Sequence, residues 1–137
     1  MKERPKAVID TNIFVSSLLG SVNAQCILNN FILGNFDIVI SKDVIEEIIE
    51  VISRKKFSDI IHREDIMELI DLLETDTKRV IPTIRIFSCR DPKDNLILEC
   101  AVSGKVDFIV TGDNDLLKMS PFKNIHIVTP AQFLKFL

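Results

Sequence analysis

The sequence has 137 residues, of which 47% are hydrophobic and 27% are charged, and its net charge at pH 7 is −3. A chain of this length can bury roughly two thirds of its unfolded surface, so we expect one domain over residues 1–137. The composition excludes a disordered or fibrous chain, and the negative charge argues against a protein that binds nucleic acid through an overall basic surface.

Two strands and two helices are predicted in the first part of the chain. An apolar run at Ala7–Ile9 predicts the first strand, and Phe36–Ile40 predicts the second. Ser21 can cap a helix that stops at Gly34, and Ser41 can cap a helix that runs to about Arg54. The order strand, helix, strand, helix is typical of a parallel sheet.

The middle of the chain has two clear helical patterns and one ambiguous stretch. Residues His62–Thr75 carry apolar side chains on one stripe, which predicts a third helix. Val80–Ile86 is either a short extra strand or a loop. A further helix opens at Asp91, a capping residue followed by proline, and runs to Gly104.

Two further strands and one helix are predicted in the last part of the chain. Strands are predicted at Phe108–Val110 and Ile125–Val128, and Thr129 precedes a proline that opens a helix over Ala131–Phe136. The strand runs are apolar without alternation, which favours strands buried on both faces. The fold class is therefore predicted to be α/β, a three-layer α/β/α sandwich with a mainly parallel central sheet.

The cysteine content and the amino-terminal sequence are used to predict the cellular compartment of the protein. The three cysteines are widely spaced and only two histidines are present, which makes a disulfide framework or a zinc site improbable. The first ten residues resemble neither a signal peptide nor a transit peptide, and no apolar window is long enough for a membrane span. We expect a cytoplasmic protein that has no association with a membrane.

Two aspartates follow predicted strands. Asp10 ends the first strand, and Asp113 stands in the Thr-Gly-Asp sequence after Phe108–Val110. Ligands of open α/β sheets bind at the carboxyl ends of the strands, so both side chains are expected at one crevice. Either aspartate taken alone is equally well explained as a turn former or a helix cap.

Glu47 and Asp94 are placed on helices. At about 100° per residue, Glu47 lies just outside the apolar arc of its helix, whereas Glu46 and Glu50 lie farther round and are expected in solvent. Asp94 stands in the first turn of the helix that Asp91 caps, where an acid also stabilises the helix dipole. Each residue is therefore either a surface acid or a member of the crevice.

A site rich in carboxylates and poor in histidine and cysteine is typical of a hard cation. Mg²⁺ and Mn²⁺ prefer oxygen ligands, and crowded carboxylates are tolerable mainly when a cation compensates them. Metal-assisted phosphodiester hydrolysis uses such an arrangement. No Ser/His/Asp set competes, because neither His62 nor His126 adjoins a plausible nucleophile.

Basic residues concentrate in the middle of the chain. They either line an RNA path or form a solvated surface. They are Arg54, Lys55, Lys56, Arg63, Lys78, Arg79, Arg85 and Arg90.

The chain resembles the PIN-domain family, in particular its prokaryotic toxin components of toxin–antitoxin systems, the VapC-like ribonucleases. Four segments carry the likeness in the order found in the family: VIDTNIFVSSLL at 8–19, SKDVIEEIIEVISRKKF at 41–57, DPKDNLILECAVSGKVDFIVTGDNDLL at 91–117 and VTPAQFLKFL at 128–137. Together they cover well over half of the chain. Residues 58–90 carry no specific match.

The resemblance implies a site, an activity and partners. The family's four catalytic acids fall on Asp10, Glu47, Asp94 and Asp113, and the metal ligands on Asp10, Asp94, Asp113 and Asp115, with Asn12 and Thr111 as supporting residues. The implied activity is hydrolysis of RNA with Mg²⁺ or Mn²⁺. The implied partners are an antitoxin protein and a second copy of the chain in a homodimer.

Three other interpretations of the acids remain. A phosphatase of the haloacid dehalogenase type would need a second Asp where this chain has Asn12. A receiver domain of two-component signalling would need an acidic pair before the phosphoacceptor and a lysine at a later strand end, where this chain has Asp113 instead. A catalytically silent PIN-like domain that binds nucleic acid or protein is the more serious alternative, although silent members lose acids that this chain keeps.

Overall fold

The computed structural model describes residues 4–137. Its strands are β1 (Lys6–Ile9), β2 (Asp37–Ser41), β3 (Lys78–Val80), β4 (Phe108–Val110) and β5 (His126–Val128). Its helices are α1 (Thr11–Leu18), α2 (Val22–Ile32), α3 (Lys42–Ile52), α4 (Lys55–Ser58), α5 (Arg63–Thr75), α6 (Pro92–Ser103), α7 (Asn114–Leu117) and α8 (Pro130–Phe136). The predictions about an amino-terminal targeting segment and the start of the domain fall partly on residues 1–3, which lie outside the described residues.

The five strands form one sheet in the order β3-β2-β1-β4-β5, and every described pair of neighbouring strands is parallel. Ala7 of β1 lies opposite Ile38 of β2 on one side and Phe108 of β4 on the other. Helices flank the sheet on both faces. The predicted three-layer α/β/α architecture is confirmed.

The core lies between the sheet and its helices. Phe14, Phe36 and Phe133 are fully buried, and the rings of Phe36 and Phe133 meet edge to face with their centroids 4.9 Å apart. All three residues of β4 are buried as well. Burial on both faces of the sheet explains why the sequences of β1, β2 and β4 are apolar without alternation. β5 lies at an edge of the sheet and its His126 is exposed, so the expectation of burial on both faces is wrong for this strand.

Four predicted helix starts are confirmed by their caps. The Ser21 hydroxyl accepts a hydrogen bond from the third residue of α2, and the Ser41 hydroxyl does the same in α3. The Asp91 carboxylate caps α6, and Thr129 forms a reciprocal capping box at α8. Each cap satisfies a backbone N–H group that has no partner within the helix.

Three helices were not predicted. α4 and α7 have four residues each, too short for an apolar stripe. α1 begins directly after Asp10, has no side-chain cap, and carries no acid in its first turn or base in its last. Asp10 stands at the N-cap position but its side chain forms no cap, and the helix forms because Ile13 and Phe14 pack into the core.

The ambiguous stretch Val80–Ile86 shares only Val80 with the third strand, which begins earlier at Lys78. The extended segment 81–89 forms no strand and lies along α6, where three side chains accept its backbone N–H groups. The bonds run from Thr83 to Ser103 (3.0 Å), from Ile86 to Glu99 (2.8 Å) and from Cys89 to Asn95 (2.9 Å).

Among the described residues, no single helix is long and apolar enough to cross a membrane. Only α1 and α2 taken together meet that requirement of length and composition, and the pair is bent by 104°.

Candidate active site

Asp10 and Asp113 meet at the carboxyl ends of the neighbouring strands β1 and β4. The Asp10 side chain is 8% exposed and accepts a 2.7 Å hydrogen bond from the Thr111 hydroxyl. The same hydroxyl accepts a 3.0 Å hydrogen bond from the backbone N–H of Asp113. Thr111 therefore holds the two strand ends in a fixed relation, because one buried hydroxyl bonds to both aspartates.

Glu47 and Asp94 reach the same place from helices α3 and α6. The Glu47 side chain is 13% exposed, whereas its neighbour Glu46 is 61% exposed and pairs with Lys42. Asp94 lies in the first turn of α6 and is 7% exposed. The structure thus directs Glu47 inward and Glu46 outward, as the helical angles predicted.

The four acids line one cavity of about 210 Å³. It is enclosed by the start of α1, the inner face of α3, the α3–α4 connection and the start of α6. The other lining residues are Thr11, Asn12, Val51, Arg54, Lys56, Phe57, Asp91, Lys93 and Ile97. A larger groove of about 460 Å³ lies between α2 and α5, and none of the four acids lines it.

Burial raises the pKa of Asp10 above its ordinary value, against the Thr111 hydrogen bond, which lowers it. The pKa of Glu47 is also raised, first by burial and then by the nearby charge of Asp10, whereas Lys93 lowers it. The Lys93 ammonium lies 3.8 Å from Glu47 Oε1. Both carboxylates therefore carry their negative charge at a cost in free energy.

The strongest effect falls on Asp94. Burial, the charge of Asp113 and a hydrogen bond between the two carboxyl groups raise the pKa of Asp94 to about 7. Without a cation, the cavity therefore favours the protonated form of Asp94 up to a higher pH than an exposed aspartate would allow.

A family model described as the PIN domain matches residues 6–115, which include all four acids. The chain belongs to the PIN-domain family. Members of the family are generally nucleases that use divalent metals. An uncharacterized protein of Methanocaldococcus jannaschii, MJ1680, is 28% identical over 147 aligned residues, with 98% of this chain and 92% of the relative covered.

The fold of this PIN domain also occurs in a solved structure. That structure is VapBC2 from Rickettsia felis bound to a DNA fragment from the promoter of the two proteins. One of its chains superposes with a TM-score of 0.59 at 17% identity, covering 90% of this chain and 98% of the other. At this identity the likeness shows the fold alone.

The cavity fits a divalent metal by the chemistry of its donors. Its inward-facing acids offer only oxygen atoms as ligands, which are the donors that Mg²⁺ and Mn²⁺ prefer. The Thr11 hydroxyl, also at the cavity, is buried and has no hydrogen-bond partner in the described residues. Within residues 4–137, no three acid, histidine or cysteine side chains are close enough together to form a ready metal cage. The carboxylates line the cavity without closing around one point.

The other predicted site residues differ in position. Asn12 lines the cavity, and Thr111 supports both strand-end aspartates. Asp115 does not line the cavity: its carboxylate accepts two hydrogen bonds from Arg90, at 3.0 and 2.9 Å. The structure therefore brings Asp10, Glu47, Asp94 and Asp113 together and leaves Asp115 outside the group.

Of the basic residues that the sequence offered as a possible RNA path, Arg54 and Lys56 line the cavity and the others do not. Lys93 and Phe57 also line it and were not singled out from the sequence. Lys93 could have been found, because it stands beside Asp94 in the first turn of α6. Nothing in the sequence marks Phe57, whose place depends on the packing of α4.

Proposed function

We propose that this PIN domain is an endoribonuclease that depends on Mg²⁺ or Mn²⁺ and hydrolyses phosphodiester bonds of RNA. The observation that carries the proposal is the convergence of four carboxylates from four parts of the chain on one cavity, where burial and the charge of Asp113 raise the pKa of Asp94. Such crowding is costly without a compensating cation. Phosphodiester hydrolysis is a reaction for which acid clusters with a bound metal are suited.

The roles follow from the positions of the side chains. Asp10, Asp94 and Asp113 would hold the ion, and Glu47 would complete or support the site. A bound divalent ion supplies an activated water and stabilises the charge that develops on the leaving oxygen. Thr111 keeps Asp10 directed into the cavity, and Lys93 offsets the charge of Glu47. Asp115 would join the site only by giving up its bonds to Arg90.

The biological role that we propose is that of the toxin in a toxin–antitoxin pair, with an antitoxin protein as partner. The similarity in fold to a chain of the VapBC2 complex supports this role. A homodimer, which the resemblance also implied, stays a prediction.

The test is cleavage of a pool of single-stranded RNAs by the purified protein in Mg²⁺, in Mn²⁺ and in EDTA. We expect cleavage that requires metal and is lost in Asp10→Ala and in Glu47→Gln. Glu46→Gln serves as the matched control, because Glu46 has the same charge one position away and points into solvent. Circular dichroism of each variant checks that the fold is retained.

Cleavage by Asp10→Ala at the rate of the parent would overturn the site assignment. Absence of cleavage in every metal would overturn the ribonuclease proposal in favour of the second candidate, a silent binding module. The open spacing of the carboxylates is the observation that favours this second candidate.

A further inference from the structure

One wall of the acidic cavity is basic and aromatic. It is formed by Arg54, Lys56 and Phe57, at the junction between α3 and α4, and we call these three residues the basic corner. All three line the same cavity as the four acids, yet the proposed hydrolysis uses none of them. Lys93, the other cation that lines the cavity, pairs with Glu47.

Packing against buried residues of the protein holds the Phe57 ring in place. It packs against a small buried cluster made of Val15, Val51 and Ile52. Its ring is contacted by the ammonium of Lys56, which lies 4.8 Å from the ring centroid. Because Lys56 is exposed, this cation–π contact is weak, and a ligand can replace the ammonium over the ring.

The Arg54 guanidinium can also exchange its present partner, a carboxylate, for a ligand. It pairs with Glu50 one turn earlier on α3, at 3.1 Å between Nη2 and Oε2, and both side chains are substantially exposed. Exposed ion pairs of this kind contribute little to stability, because water screens both charges. A phosphate group could therefore replace Glu50 without a large loss.

Two exchangeable cations and a fixed aromatic ring are the chemistry that recognises an unstacked nucleotide. Arginine and lysine bind the phosphate backbone, and an aromatic ring stacks on the base. We propose that the basic corner is a nucleotide subsite: the base next to the cleaved phosphate replaces the Lys56 ammonium over Phe57, and Arg54 and Lys56 hold the adjoining phosphate. This inference rests on the proposed ribonuclease function.

The subsite also resolves an electrostatic difficulty. The cavity is lined by the four acids, which repel RNA, and the whole chain carries a net charge of −3. Cations beside the acids give the backbone an attractive path to the cavity. The corner therefore sets the side from which the RNA strand enters.

The test measures binding and cleavage separately. Binding is followed by fluorescence anisotropy in the Asp10→Ala protein, so that RNA is not consumed. The probes are a labelled oligouridylate and the same ribose-phosphate chain without bases. We expect the oligouridylate to bind about tenfold more tightly, because stacking of one base on an aromatic side chain is worth about 1–3 kcal/mol.

The Phe57→Leu substitution keeps an apolar side chain in the packed cluster and removes the aromatic face. We expect it to abolish the preference for the oligouridylate and to leave binding of the baseless chain unchanged, whereas Phe57→Tyr should keep the preference. Arg54→Gln and Lys56→Gln should weaken the binding of both probes and reduce the salt dependence of that binding. Phe87→Leu and Lys55→Gln are the matched controls, because neither residue lines the cavity.

Loss of the base preference in Phe57→Leu and its retention in Phe57→Tyr would support the subsite. If Phe57→Leu weakens the binding of both probes equally, or changes the binding of neither, the subsite proposal is overturned. If the parent cleaves RNA with metal and Phe57→Leu cleaves at the same rate and KM, the subsite is wrong and the ribonuclease proposal stands. If the parent neither binds nor cleaves RNA, both proposals fail.

Discussion

Asp91 and Asp94 stand three positions apart in the first turn of α6, and their environments differ. Asp91 is exposed and caps the helix by accepting a hydrogen bond from the backbone N–H of Lys93. Asp94 is buried beside Asp113, which raises its pKa to about 7. The pKa of Asp94 is thus set first by burial and then by the charge of Asp113, a residue of another element.

The raised pKa of Asp94 predicts how the stability of the metal-free protein depends on pH. In the folded state Asp94 keeps its proton up to about pH 7, whereas its ordinary pKa is 3.8. The folded state therefore binds more protons across that window, and the free energy of unfolding falls as the pH rises, by up to about 1.4 kcal/mol per pH unit. We expect Asp94→Asn to flatten this fall and to be more stable than the parent at pH 8 in EDTA.

Urea unfolding at pH 5 and pH 8 measures the effect. Asp71→Asn is the control, because Asp71 is an exposed aspartate outside the cavity. A smaller fall should remain in Asp94→Asn, since the pKa values of Asp10 and Glu47 are raised as well. If Asp94→Asn keeps the full pH dependence of the parent, Asp94 is not the group that holds the proton.

At the scale of elements, the segment 81–89 shows how α6 is held in place. Its backbone is extended like a strand, but its N–H groups donate to side chains of α6 that are spaced four residues apart. The central acceptor, Glu99, is 5% exposed. This arrangement anchors the helix whose first turn carries Lys93 and Asp94.

Glu99→Leu should destabilise the protein by about 1–3 kcal/mol, because the buried N–H group of Ile86 loses its acceptor. Glu99→Gln should cost less, since the amide oxygen can still accept. The free energies of unfolding are compared by urea denaturation. Ser103→Ala is the control at the less buried end of the segment, where water can replace the lost acceptor. Equal stability of the Leu and Gln variants would show that this hydrogen bond does not anchor the segment.

At the scale of the whole molecule, the groove between α2 and α5 is a separate surface. Its floor is apolar, with Leu28 and Ile32 on one side and Leu69 and Leu72 on the other. Residues 11–36 contain no charged side chain, whereas α5 contains five acids and one base. None of those acids pairs with a cation of residues 4–137. The groove is therefore complementary to a basic amphipathic helix, and we expect the proposed partner protein to present one.

A synthetic amphipathic helix with leucines on one face and lysines on the other is a suitable probe. We expect the protein to bind it, and Glu68→Lys to weaken the binding about tenfold, which corresponds to about 1.4 kcal/mol. Glu74→Lys is the matched control, because it makes the same charge change on the same helix outside the groove. Equal effects of the two variants, measured by fluorescence anisotropy, would show that net charge and not the groove governs binding.

The sequence by itself determined the fold class and the part of the site that lies at strand ends. Apolar runs without alternation identified the central strands β1, β2 and β4, which are buried on both faces, and caps such as Ser41 and Thr129 identified where helices begin. Asp10 and Asp113 could be paired in advance because parallel strands end at the same edge of a sheet. These features depend on neighbours in the chain, which a sequence displays directly.

Only the tertiary structure decided the rest. The partner of Asp115 is Arg90, Phe57 reaches the acidic cavity, and α1 is a helix although the Asp10 side chain does not cap it. The pKa of Asp94 likewise depends on burial and on Asp113, which follows strand β4. Each of these outcomes is set by distances between residues far apart in the chain. Local patterns carry no record of those distances, because they arise only when the elements pack together.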